Sequence, residues 1–170
     1  MRLTPILLCL GVAASTVPSI VIGQRPDNQI APQSMALLKQ GEALLAQGKL
    51  MEADDALETA LAVDPKNRAA FVVMAKVAIK QQLPGQAIRL TNKALALEPK
   101  DRDAVAVQGE AMVEAGAIAR AKENLAKLQK MCGSQACPQT ATLSAAINRG
   151  PQMAVATKAP TPTEPAKKSN

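Results

Sequence analysis

Glu110 and Glu114 stand four residues apart, so on a helix their carboxylates share one face. A pair placed that way can divide acid and base work, although on a surface helix such pairs are overwhelmingly solvated charges. Cys132 and Cys137 are the second candidate for chemistry, with Gly133, Ser134, Gln135 and Ala136 between them. A redox pair usually encloses two residues and not four, and a zinc site would need two further ligands in a chain that has no His. A disulfide and two unpaired thiols are the readings left. With Tyr absent as well as His, the usual nucleophile and base pairings are missing, and only carboxylates, Lys, Ser and Thr remain. There is no glycine-rich phosphate loop. No catalytic residue, cofactor or metal is therefore expected, and an enzyme using surface carboxylates is the remote reading.

What would position these residues is a repeat. Ala53, Ala87 and Ala121 lie 34 residues apart, and Ala60 with Ala94 and Pro65 with Pro99 keep the same interval. Gly41 and Gly109, like Gly48 and Gly116, lie two such intervals apart, which carries the register through three units. A period of this size marks stacked helical hairpins, each too small to bury its apolar face until a neighbour covers it. Composition agrees: aliphatic residues and Ala dominate, Phe71 is the only aromatic, and the 170 residues suffice for one domain with tails. The net charge of +6 implies solubility and loose attraction to anions.

Helical periodicity begins at Ser34, read as an N-cap. It predicts helix pairs at 35–47 with 50–63, 68–81 with 84–97, and 102–115 with 118–131, turning at Gly48 and Gly116. Pro84 suits a first helical position, where its missing donor would be unpaired anyway. A seventh helix, 139–149, presents Leu143, Ala146 and Ile147 on one face and reads as a cap. The units are then 34–67, 68–101 and 102–135, within a domain of 34–149. Residues 24–33 form a polar linker, and 150–170 is a tail of Pro, Thr, Ala and Lys too poor in apolar groups to order itself.

Residues 1–23 read as a secretory signal, with Arg2 ahead of an apolar run and cleavage expected after Gly23. Polar residues and Pro18 break that run short of a membrane span, so no integral span is expected once it is removed. Cys9 leaves with the signal. An exported chain meets an oxidising compartment, periplasmic or extracellular, where Cys132 and Cys137 are expected to be disulfide-bonded. Export also removes the opportunity to bind nucleic acid, for which there is almost no stacking surface.

From Ser34 to about Gly133 the chain resembles the tetratricopeptide repeat family. The family's spaced positions fall on Leu37, Gln40 with Gly41, Leu44, Ala53, Leu57, Ala60 and Pro65 in the first unit. In the second they fall on Phe71, Met74 with Ala75, Ala78, Ala87, Thr91, Ala94 and Pro99. In the third they fall on Val105, Gln108 with Gly109, Met112, Ala121, Leu125, Leu128 and Gly133. The small residues match and the aromatic ones mostly do not. The resemblance implies an all-α solenoid of three helix pairs with a C-terminal capping helix, used as a non-catalytic scaffold for protein interactions. Its groove positions fall on Lys39, Glu42 and Leu45, then Val72, Lys76, Ile79 and Lys80, then Asp103, Ala106, Glu110 and Glu114. The partner implied is a protein or peptide, with acidic groups towards the first two units and basic groups towards the third. The family's clamp for chaperone C-terminal carboxylates is not supported, because Leu38 and Glu42 stand where it would want Lys and Asn. A self-associating envelope component is the alternative, and Lys158, Lys167 and Lys168 of the tail suit weak contact with anionic envelope surfaces.

Overall fold

A computed structural model describes residues 29–133 and 135–151. The expected signal, residues 24–28 of the linker and residues 152–170 of the tail lie outside the described residues. Seven helices and no strands are present among those described: α1 (Pro32–Ala46), α2 (Leu50–Val63), α3 (Arg68–Lys80), α4 (Pro84–Leu97), α5 (Arg102–Glu114), α6 (Ile118–Cys132) and α7 (Pro138–Arg149). None is long and apolar enough to cross a membrane.

The second helix of each pair shows why the period is legible. Ala53, Ala56, Leu57 and Ala60 are buried on α2, and Ala87, Leu90, Thr91 and Ala94 are buried on α4, one period later residue for residue. That spacing is the i, i+3, i+4, i+7 stripe of a helix with one covered face. On α6 the same positions are Ala121, Asn124, Leu125 and Leu128, and only Ala121 and Leu128 are fully buried. The first helices differ because neighbours flank them. α3 packs against α1 and α2 on one side and α4 and α5 on the other, so seven of its 13 residues are buried. α5 is enclosed by α3, α4, α6 and α7 and buries nine of 13.

Polar joints fix the units to one another. Asn67 caps α3 by accepting from the Ala70 amide at 3.2 Å, and Asp101 caps α5 in the same way from Ala104 at 3.1 Å. Arg68 donates to the Asp101 carboxylate, tying the start of α3 to the start of α5. Buried Gln108 donates to Asn92 of α4 at 2.7 Å and accepts from Asn124 of α6 at 3.1 Å. Every polar atom taken out of water in this seam therefore has a partner.

Ser34 is a correction. It does not cap α1, which begins at Pro32 with Ala31 in the cap position. Proline at the first helical position starts the helix three residues early, and Ser34 is turned inward within the first turn. Its hydroxyl donates to the Ala60 carbonyl at 2.7 Å and accepts from Asn67 Nδ2 at 2.8 Å, so it stitches α1 to the end of α2 and the start of α3. The linker accordingly ends before Pro32 and not at Gln33. The seventh helix starts at Pro138, one residue before its expected Gln139.

The hairpin turns are equivalent in backbone and not in sequence. Gly48 and Gly116 both have φ +75°, and Gln82, at the same place in the second unit, has φ 61°. A side chain there costs about 1–2 kcal/mol relative to glycine.

Candidate functional site

The concave side carries a cleft of about 600 Å³. Four helices line it. α1 contributes Leu45; α3 contributes Lys76, Ile79 and Lys80; α5 contributes Asp103, Ala106, Val107, Glu110 and Glu114; α7 contributes Pro138, Gln139, Thr142, Ala146 and Arg149. Gln82 stands at the rim of the second turn. These are the helices that open each hairpin, together with α7, so the repeat stacks them side by side along one face.

Eight of the expected groove positions line this cleft: Leu45, Lys76, Ile79, Lys80, Asp103, Ala106, Glu110 and Glu114. Lys39, Glu42 and Val72 do not. Lys39 and Glu42 are exposed on α1, which reaches the cleft only near its C-terminal end. Val72 is 4% exposed and packs into the core, because α3 has neighbours on both sides. Sequence reasoning missed the contribution of α7, which it read as a lid on the last repeat. The available signal was periodic: Gly109 and Leu143 are 34 residues apart, the spacing of one further unit. In the structure α7 stacks on α5 much as α5 stacks on α3, with Leu143 seated over Gly109 and a hydrogen bond from Gln139 Nε2 to Asp103 Oδ1 of 2.8 Å.

The charges consequently form three bands: Lys76 and Lys80 on α3, Glu110 and Glu114 on α5, and Arg149 on α7. The sequence reading of a basic end passing to an acidic end is corrected by Arg149. The bands enclose an apolar floor of Leu45, Ile79, Ala106, Val107 and Ala146. Burial pushes the Glu110 carboxyl above its ordinary value of 4.5; Lys76, Arg149 and Lys80 pull it back down, and Glu114 adds an upward push. A carboxyl whose pKa is raised by folding costs stability when ionised. That cost is relieved as pH falls through the folded-state pKa and is absent below the unfolded value. Glu110→Gln should therefore melt higher than the parent at pH 7, with the gap closing as pH falls towards about 4.5. A parent that melts higher at pH 7 would mean the three cations outweigh burial.

At the far end of the domain Cys132 closes α6 and Cys137 precedes α7, with Cα atoms 6.0 Å apart. That separation is one a disulfide spans. No group of three or more His, Cys, Asp or Glu side chains arranged to hold a metal occurs among the described residues.

Residues 44–110, from α1 into α5, match the tetratricopeptide repeat family model. That stretch is a tetratricopeptide repeat segment. Its repeats superimpose on the Sgt2 TPR domain from Aspergillus fumigatus with a TM-score of 0.64 at 21% identity, covering 87% of this chain and 95% of that one. The TPR2B domain of yeast Sti1, in its pHsp70 complex, gives 0.62 at 17% identity over 70% of this chain and 98% of that one. The first TPR of Spaghetti (RPAP3), bound to the HSP90 peptide SRMEEVD, gives 0.61 at 20% identity over 69% and 92%. At these identities the likeness concerns the fold. No curated protein sequence matches the chain significantly.

Proposed function

We propose that this repeat protein is a non-catalytic adaptor of the cell envelope that holds a peptide or helix of another protein in its concave cleft. The observation that carries the proposal is the cleft itself, in which α1, α3, α5 and α7 converge an apolar floor and three charge bands on one open face. The Sti1 and RPAP3 domains were solved with chaperone peptides, which supports the use of this fold for holding short segments. Those particular peptides do not transfer, since Leu38 is buried in the core here and Glu42 is an exposed carboxylate. The segment that suits the cleft places acidic groups over Lys76 and Lys80 and over Arg149, and a basic group over Glu110 and Glu114, with small apolar residues between. Charge complementarity of this kind sets orientation and excludes wrong partners more than it adds affinity.

The envelope setting rests on the apolar leader of residues 1–23 and on two cysteines placed where a bond can form. Closing so short a loop would stabilise the fold by about 2 kcal/mol in the chain-entropy model. N-terminal sequencing of mature protein should begin at Gln24, and thiol counting without reductant should find none free. Met1 on a soluble cytosolic protein, or two reactive thiols, would refute the setting or the bond in turn.

Affinity capture from envelope extract tests the function. The expected result is a partner whose short segment, supplied as a free peptide, competes it off. Capture of copies of the chain itself, with a sizing profile larger than monomer, would favour the self-associating component instead.

A further inference from the structure

Lys100, Arg102, Lys127 and Lys130, with Met131, line a recess of about 420 Å³ that shares no residue with the concave cleft. Lys100 lies between α4 and α5, Arg102 opens α5, and Lys127 and Lys130 stand on the last two turns of α6. All four are exposed, and none enters an ion pair among the described residues.

The repeat supplies its own comparison. One period earlier the equivalent cations, exposed as well, have partners within the chain: Arg68 pairs with Asp101, and Lys93 Nζ lies 5.6 Å from the centre of the Phe71 ring. In the third unit both cations recur, as Arg102 and Lys127, and both partners are gone. The position after Asp101 by one period is Gln135, and the position after Phe71 is Val105. Asp101 and Glu98 do not take their place. Asp101 has its side chain only 3% exposed and is held by Arg68 and the Ala104 amide, and Glu98 accepts from the backbone amide of Lys100 at 3.2 Å. Four like charges converging on one recess repel one another, and a multiply charged oxyanion that bridges them removes that repulsion while accepting charge-assisted hydrogen bonds, two of them from the guanidinium fork.

We infer that this recess is an anion site that takes a phosphate group, carried either by a soluble phosphate ester or by a lipid headgroup. The inference is independent of the concave cleft and survives if the cleft binds nothing.

Calorimetric titration of the full chain with pyrophosphate tests it. R102Q/K127Q should weaken binding by about tenfold or more. K39Q/R89Q, which removes two cations elsewhere, should leave it within about twofold, with all variants melting alike. No binding by the parent, unchanged binding by R102Q/K127Q, or an equal loss in K39Q/R89Q overturns the site. Sedimentation with phosphatidylglycerol vesicles separates the sources. Vesicle binding that pyrophosphate displaces and R102Q/K127Q lacks assigns the headgroup, whereas pyrophosphate binding without vesicle binding assigns a soluble ester.

Discussion

Leu143→Ala is expected to destabilise the protein by about 2–5 kcal/mol and to loosen one wall of the cleft at the same time. Leu143 has no exposed surface and packs with Val105, Ala106 and Leu128, so truncation leaves a cavity between α5, α6 and α7. A Cβ built at Gly109 would lie 2.6 and 2.7 Å from the two Leu143 methyls. Gly109→Ala should therefore push Leu143 off its seat, at a cost of about 1–3 kcal/mol that the better helix propensity of alanine offsets by up to about 1 kcal/mol. In Leu143→Ala the space for that methyl already exists. The double variant should be more stable than the sum of the two losses predicts, by about 1 kcal/mol in denaturant unfolding. Strict additivity would mean that Gly109 and Leu143 do not meet and that other contacts seat α7 on α5.

Most of the solenoid was legible in the chain because the residues that set the period are small ones at helix crossings. Gly41 meets Leu57, and a Cβ there would approach its Cγ to 2.6 Å; in the second unit the same two positions are Ala75 and Thr91, both fully buried. A larger floor is matched by a smaller knob. The small side chains of Ala78 and Thr91 in the middle unit are accommodated in this way, with the Thr91 hydroxyl donating to the Ala87 and Ile88 carbonyls at 3.0 Å each.

What the sequence concealed was tertiary. Ser34 has the residue type of a cap, and only the placement of Pro32 and the Asn67 amide turns it into an internal joint. Val72 has the register of a groove residue, and burial from two sides removes it. The role of α7 was hidden because the segment lacks the family's landmark residues. The clue was one leucine standing a full period beyond a glycine.

The second large effect concerns binding. Neutralising both lysines, Lys76→Gln with Lys80→Gln, should weaken capture of the cleft's partner by about tenfold, or about 1.4 kcal/mol. Glutamine is preferred to glutamate here because Glu110 and Glu114 face these lysines, and further carboxylates would repel them. Both lysines are exposed, so the change should shift stability by under about 0.5 kcal/mol and a loss of capture would not reflect unfolding. The parent's advantage should also shrink in high salt, since exposed charges are screened beyond about 8 Å under physiological conditions.

Which face binds is settled most directly by site-specific photo-crosslinking in the cell. A photoreactive residue at Ile79, half-buried in the cleft, is compared with one at Glu123, exposed on α6 away from it. An adaptor that holds its partner in the concave cleft gives a discrete crosslinked product from position 79 and none from position 123. A product from position 123 alone would contradict it.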